Sequence, residues 1–263
     1  MYCAACSGRR AELDTIMRQG TPAHCRIVLN RPEKLNALTP AMLFELARLV
    51  AAASSDPAVQ LVSIEGAGPR AFSAGFDLKV LAEQGQDAHA GDPLGAALGA
   101  VGQCRKPVFG YVHGLCLGAA FDLAMCCDFR VATDAARFGI PAVRIGSVYF
   151  PRSIDRIRRK VGSTVTRQLF MLGKEFSADE ALRAGIAQEV TTQSGWEEMI
   201  RRHLDLPAEA LNAVYGHKYV IDRLDAADVA DAALLRELEL VRERSLAGPD
   251  RPTAIASFLS TRE

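Results

Sequence analysis

Pro107 to Asp128 reads PVFGYVHGLCLGAAFDLAMCCD, and the fold turns on how this stretch is read. Pro107 to His113 is rich in Val, Tyr and Phe, opens on a proline and stops at Gly114, the marks of a short buried strand. After Gly114 the period changes. Ala119, Ala120, Leu123, Ala124 and Cys127 recur at spacings of one, three and four, which predicts a helix from near Gly118. A strand, a tight turn with two glycines and a helix N-terminus thus follow one another. The first N–H groups of a helix have no partner within it, and the helix dipole adds partial positive charge at that end. A developing oxyanion placed there is stabilised without a charged side chain. Asp122 lies one turn into this otherwise apolar helix.

Upstream, Ala11 to Met17 and His24 to Leu29 read as a hairpin around Gly20-Thr21-Pro22, after a tail over Met1 to Arg10. NRPEKLNAL, Asn30 to Leu38, is polar, is broken by Pro32 and reads as a loop. Thr39-Pro40 then reads as N-cap and first residue of a helix with Leu43, Leu46, Ala47 and Val50 on its buried stripe. Val59 to Glu65 reads as a strand, Gly66 to Phe72 as a turn-rich link, and Ser73 to Lys79 as a small-residue turn running into a helix. Gln84 to Gly95 reads either as a lid or as a plain surface loop, and Leu94 to Gln103 as a helix.

Downstream, Phe129 to Thr133 and Ala136 to Gly139 read as short strands and Ile140 to Phe150 as a loop with two apolar ends. Ser153 to Val161 starts a basic helix, whose Arg156, Arg158, Arg159 and Lys160 read as a solvated face, with a phosphate contact as the other option. Ser177-Ala178-Asp179-Glu180 is a capping box, Gly185 ends that helix, and Ala187 to Val190 is a last strand. Past Gly195 the pattern turns helical, over Trp196 to Leu206, Ala208 to Leu224, Ala226 to Leu246 and Arg251 to Ser260. The organisation is therefore a β/α body over residues 1–195, in which a strand, strand, helix unit recurs about three times, and a helical region over 196–263.

The 263 residues suffice for a large core. Lys plus Arg and Asp plus Glu number 31 each, which argues against nucleic acid or an anionic membrane as the main partner. No apolar run approaches the roughly 20 residues that span a bilayer, and no secretory signal is recognised. Seven cysteines, with Cys126-Cys127 inside a predicted helix, fit reduced thiols and a cytoplasmic protein. Cys3 and Cys6 form a lone CxxC without a second pair, so no metal is expected.

AFSAGFDLK (Ala71 to Lys79), NRPEKLNAL and VHGLCLGAAFDLAMCCD together resemble the crotonase superfamily, the enoyl-CoA hydratase/isomerase family, in order and spacing from about Ile27 to Val190. The resemblance implies an α/β fold, the crotonase (ClpP-like) spiral of repeated ββα units, with a C-terminal helical region that builds a homotrimer or a hexamer. It implies an acyl-CoA substrate and no cofactor beyond the coenzyme A of that substrate. It also implies an oxyanion hole that grips the thioester carbonyl through the N–H groups of Phe76 and Ala119. Two preset donors, each worth on the order of 3 kcal/mol, suit the charge of a thioester enolate. This chain has Ala119 and Ala120 where the family usually has Gly, a change that keeps the backbone donor. Coenzyme A is expected against Lys34, Leu35, Ala37, Ala74, Asp77 and Leu78, although Leu35 and Leu78 also suit ordinary core packing. Phe258 resembles a tail aromatic that reaches the ligand of a neighbouring subunit, and Thr261 stands where a Lys often follows it.

Of the two glutamates that hydratases of the family use, the first falls on Asp122 and the second on Ala142, which cannot move a proton. Hydration needs a base on water and a proton for carbon, so hydration of the usual kind is not expected. The dehalogenase branch's nucleophilic aspartate corresponds to Phe150. The naphthoate-synthase branch's loop aspartate corresponds to Tyr149, with Ser147 kept nearby. Tyr149 is either a proton donor or a half-buried core residue. Asp122 is either a group that meets substrate or a buried aspartate bonded to backbone or an arginine. Three functions follow: an enolate-forming acyl-CoA enzyme, a non-catalytic acyl-CoA-binding protein, or an α/β-hydrolase built on the GxCxG of Gly114 to Gly118 with Cys116 as nucleophile and His203 or His217 downstream. The last leaves two of the three motifs unexplained. His113 reads as fixing its loop by hydrogen bonding.

Overall fold

The computed structural model describes residues 15–84, 90–204 and 211–227, with positions 236, 240, 243 and 247. Strands β1 (Ile16–Gly20), β2 (His24–Leu29), β3 (Leu61–Gly66), β5 (Val108–Val112), β7 (Phe129–Thr133) and β10 (Glu189–Thr191) form one sheet in the order β1-β2-β3-β5-β7-β10. Strands β4 (Ala71–Ser73), β6 (Leu115–Leu117), β8 (Arg137–Gly139) and β9 (Phe176–Ser177) form a second sheet in that order. The helices are α1 (Pro40–Ser55), α2 (Leu78–Gln84), α3 (Pro93–Gly102), α4 (Ala119–Cys126), α5 (Pro151–Met171), α6 (Ala178–Arg183), α7 (Trp196–Leu204) and α8 (Leu211–Ala227).

The two sheets grow together. The chain lays β3, β5 and β7 side by side in parallel in the larger sheet, and after each it lays β4, β6 and β8 in parallel in the smaller one. A helix follows each pair, so the expected ββα spiral is present. The larger sheet is covered on both sides, which is why LVSIEG of β3 reads as a nearly continuous buried run. Val62 and Ile64 point into the main core with Leu43, Leu46, Val112 and Phe121, while Leu61 joins Phe109, Tyr111, Val131, Trp196 and Met199 on the other face.

The local signals for α1 and α6 hold. Thr39 accepts a hydrogen bond from the Met42 N–H with Pro40 at the first turn, and Ser177 with Glu180 forms a complete capping box. Several boundaries differ from expectation. The first strand is Ile16–Gly20, further on than the expected Ala11 to Met17, because the turn tightens onto Gly20 to His24, and Ala11 to Asp14 lie outside the described residues. The link expected over Gly66 to Phe72 ends in β4, and the turn after Gly114 holds β6. The basic helix runs on to Met171 through a break at Gly162 (φ 76°, ψ 167°). The helices expected over 226–246 and 251–260 fall largely outside the described residues, as do Cys3, Cys6 and Phe258. Among the described residues, no helix is long and apolar enough to cross a membrane, and no cluster of side chains is suited to a metal ion.

The far face of the larger sheet holds a buried polar chain. His24 Nε2 lies 2.8 Å from Ser63 Oγ, Ser63 Oγ donates to Glu65 at 3.1 Å, and Arg26 donates twice to the same carboxylate. Burial, with the charge of Arg26 second, lowers the His24 pKa from 6.5 to about 4. A group with a lowered folded-state pKa binds protons more readily when unfolded. His24 therefore costs the fold nothing above its unfolded pKa of about 6.5, and its penalty grows as pH falls toward about 4, to on the order of 3 kcal/mol. Urea unfolding between pH 8 and pH 4 checks this: His24→Gln, which does not titrate, flattens this part of the pH dependence.

Candidate functional site

Two turns meet where β4 and β6 leave the smaller sheet. β4 and β6 are neighbours, pairing through Ala71 with Leu115 and Ser73 with Cys116. β4 runs into Ala74-Gly75-Phe76, and β6 runs into Gly118 and α4. Gly75 sits at φ +95°, and a Cβ there would lie 2.5 Å from the Leu117 carbonyl oxygen and 3.3 Å from the Ala119 nitrogen. Only glycine allows that approach. Leu38 bridges the same segment, donating from its N–H to the Gly75 carbonyl at 2.7 Å and accepting from the Asp77 N–H at 2.9 Å. Those bonds use the groups on either side of Phe76 and turn the Phe76 amide toward the opposite edge.

Ala119 opens α4. Its N-cap, Gly118, offers no side-chain cap, and the first hydrogen bond back to Gly118 comes from Asp122. Among the described residues the Ala119 N–H has no acceptor. The whole of α4 is buried, so these orphan donors sit in a low-dielectric setting.

The two expected coenzyme-A segments are brought together. The Ala74 N–H donates to the Leu35 carbonyl at 2.9 Å, and Arg31 Nη1 donates to the Ala37 carbonyl at 2.8 Å and to Asp77 Oδ2 at 3.1 Å. Leu35 and Leu78 are half-buried, Ala37, Ala74 and Asp77 likewise, and Lys34 is exposed. Neither leucine belongs to the closed core. Asn36, fully buried at φ 55°, donates to the Ala67 and Ala71 carbonyls and accepts from the Arg31 N–H. Sequence reasoning passed over Arg31 and Asn36, whose signal is their place inside NRPEKLNAL.

Asp122 is fully buried, and one of its oxygens is held by Arg156 of α5. Burial works against the Arg156 charge, but the Asp122 carboxylate outweighs it and the guanidinium pKa goes up. Arg156 Nη2 also reaches Ser153 Oγ at 3.1 Å. The reading of Arg156, Arg158, Arg159 and Lys160 as one solvated face is thus corrected. Arg158 and Arg159 pair with Asp155 near the surface, whereas Arg156 turns in to Asp122 and Lys160 Nζ reaches the Cys127 carbonyl at 3.3 Å. Residues 156 and 160 are four apart and share a helix face. The signal available in advance was Asp122 itself, a lone carboxylate in an apolar helix that needed a counter-ion.

Tyr149 reaches the same place from the loop before α5, its ring packed on Phe150 and Phe170. Burial first, then the Asp122 charge, pushes its hydroxyl pKa well above the usual 10, so it stays protonated. Its Oη lies beside the Asp122 carboxylate. Tyr149 Oη, Asp122 Oδ2 and Arg156 Nε are all buried without a partner. Ala142 is buried in PAVRI, the turn over Pro141–Ile145, which carries no carboxylate.

Cys116 is fully buried, and burial raises its pKa well above 9, so it is no nucleophile. With the spiral present, the α/β-hydrolase reading with Cys116 and a downstream His203 or His217 is overturned. His113 accepts the Phe72 N–H on its carbonyl at 2.7 Å, and its ring meets the Gly68 backbone, in keeping with a loop-fixing role.

Residues 21–235 match the sequence profile of the enoyl-CoA hydratase/isomerase family. A crotonyl-CoA hydratase of Syntrophomonas wolfei is 37% identical over 172 residues, 62% of this chain and 64% of that protein, so the match spans under two thirds of that relative. A carnitinyl-CoA dehydratase of Shigella flexneri is 34% identical over 188 residues, 71% of this chain and 70% of that protein. The crystal structure of an enoyl-CoA hydratase/isomerase from Xanthobacter autotrophicus Py2 superposes with a TM-score of 0.78 at 29% identity, covering 95% of this chain and 97% of that one. With motifs, spiral and profile in agreement, the chain belongs to the enoyl-CoA hydratase/isomerase family.

Proposed function

We propose that this protein binds an acyl-CoA thioester and stabilises its enolate, with the thioester oxygen between the N–H groups of Phe76 and Ala119. The observation that carries the reading is the close approach of Gly75 to the Ala119 nitrogen, at the uncapped start of a buried helix. Enolate formation moves charge onto the carbonyl oxygen, and preset dipoles there stabilise it without reorganising. The family, and relatives that act on crotonyl-CoA and carnitinyl-CoA, support the substrate class. Lys34, Leu35, Ala37, Ala74, Asp77 and Leu78 line the proposed coenzyme A path, on two segments that Arg31 and Leu38 hold together.

The proposed roles of the acyl end differ from two-carboxylate hydration. Ala142 supplies no second acid, so among the described residues Asp122 is the side-chain carboxylate offered, and Tyr149, kept protonated by burial and the Asp122 charge, is the proton donor beside it. Isomerisation, decarboxylation or bond cleavage through the enolate fits this set better than addition of water. We further propose a cytoplasmic homo-oligomer, a trimer or a dimer of trimers, needing no cofactor beyond the coenzyme A of the substrate.

Thermal unfolding with coenzyme A, butyryl-CoA and crotonyl-CoA tests the reading. Both acyl-CoAs are expected to raise the melting temperature more than coenzyme A at equal concentration. No shift with any of the three overturns it. The tie between Asp122 and Arg156 favours one second reading, a carrier that binds acyl-CoA without turning it over. Binding by the wild type with no turnover across an acyl-CoA panel, both unchanged in Asp122→Asn, would select that reading.

A further inference from the structure

Two peptide groups in line join the side chain of Arg31 to the Phe76 amide. Arg31 Nη1 donates to the Ala37 carbonyl at 2.8 Å. The same peptide group carries the Leu38 N–H, which donates to the Gly75 carbonyl at 2.7 Å. The peptide group of that carbonyl carries the Phe76 N–H. A trans peptide is planar, with C=O and N–H pointing opposite ways, so a bond that holds the one aims the other. The guanidinium also reaches past Phe76. Its Nη1 donates to Asp77 Oδ2 at 3.1 Å, and Asp77 Oδ1 accepts the Lys79 N–H at 3.1 Å. Arg31 thus grips the chain before and after Phe76, and the Arg31 and Asp77 side chains are only 19% and 14% exposed.

The turn needs such a grip. Gly75, directly before Phe76, sits at φ +95° and has the widest conformational freedom of any residue type. The Ala119 amide, by contrast, is aimed by the first turn of α4. The loop that supplies the grip is itself bent against preference, with Leu35 at φ 52° and Asn36 at φ 55°. The Asn36 side chain ties that loop to the Ala67 and Ala71 carbonyls and to the Arg31 N–H, off the path to Phe76. Arg31 is the side chain at the head of that path. A cation there also polarises each peptide along the row, strengthening each bond by about 10–30%. The Asp77 carboxylate offsets part of that charge, so aim outweighs polarisation.

We infer that Arg31 is a positioning residue for the Phe76 amide, acting through the Ala37–Leu38 and Gly75–Phe76 peptide groups and through Asp77. The inference rests on the reading above, in which the Phe76 N–H meets the thioester oxygen. Infrared difference spectra test it, taken on the full chain saturated with butyryl-CoA, with and without an isotope label at the thioester carbonyl, beside a separate titration of affinity. Donors at the oxygen draw charge onto it, so the wild type is expected to lower the carbonyl stretch relative to the free ligand. Arg31→Met removes every donor of the side chain and is expected to lose about half of that lowering at saturation, since one of the two amides is then loosely aimed. Arg31→Gln, which keeps a neutral donor of shorter reach, is expected to lose a smaller part, and it reads the same comparison if Arg31→Met does not fold. A structural role alone would weaken binding and leave the stretch of the bound ligand unchanged. Full lowering in a folded Arg31→Met, or in Arg31→Gln, overturns the positioning role and leaves the acyl-CoA reading standing. Binding without any lowering in the wild type overturns the oxyanion hole, and no binding overturns the acyl-CoA reading; either takes the inference with it.

Discussion

Under the proposed oxyanion hole, Ala119→Pro is expected to lower turnover of an acyl-CoA substrate by about 100- to 1,000-fold, equivalent to about 3–4 kcal/mol of transition-state stabilisation, while the protein stays folded. The substitution is selective because of where Ala119 stands. It is the first residue of α4, after the Gly118 cap, and its N–H serves no acceptor among the described residues. Proline is well tolerated at that position, since its φ suits the helix start and the missing N–H breaks no internal bond. The change removes the donor and sets the ring Cδ where the N–H pointed, while the helix start is kept. The fall is expected in kcat/KM, since the donor is lost and the ring methylene stands at the seat proposed for the oxygen. Steady-state kinetics beside circular dichroism checks it. Unchanged kcat/KM in a folded Ala119→Pro variant would remove this amide from the mechanism.

Arg156→Met destabilises the protein by about 3–5 kcal/mol at pH 7, the largest stability effect expected from a single side chain here. Asp122 is fully buried, and among the described residues Arg156 is the cation paired with it. Removing the guanidinium leaves a fully buried carboxylate in an apolar helix without its paired cation. The double variant Asp122→Asn, Arg156→Met is expected to recover most of the loss, since no charge is then stranded. Urea unfolding of the two single variants and the double measures this coupling. Additive losses would show that the pair contributes nothing as a pair.

Much of the spiral was legible because its parts carry period and punctuation. Thr39-Pro40 and Ser177 with Glu180 announce helix starts through side-chain oxygens that accept orphan N–H groups, a local effect that tertiary packing reinforces. β4 and β6 were read as links because three residues are too few to show an alternating pattern, and what makes them strands is the neighbour each pairs with, distant in sequence. The helix beyond Gly162 was not legible for a different reason, since Ser163, Thr164, Val165 and Thr166 are weak helix formers and the pattern stops at Val161, while the helix itself resumes and runs to Met171.

The site divides in the same way. Phe76 and Ala119 were named through motifs, because the turns that would place a backbone donor are encoded by small residues, and both lie at turn-to-helix transitions in the fold. Asp122 and Tyr149 were recognised as candidates, yet neither position tells which partner it meets. Arg156 was assigned to solvent with its neighbours, as charge runs are most often on the outside. Its inward turn is decided by helix phase against α4, a relation between two elements that no single stretch of sequence contains.

The pairing of β4 with β6 has one more effect. Hydrogen-bonded strands keep a spacing of about 4.8 Å, so the exits of these two strands begin that far apart whatever the connections between them do. Two nitrogens at such a span, each about 2.9 Å from a shared oxygen, subtend about 110° there, close to its lone-pair directions. The ladder thus serves as a ruler. Insertions into the long excursion from Leu78 to Pro107 would leave that strand spacing unchanged, and with it the separation on which the proposed pair of amide donors depends.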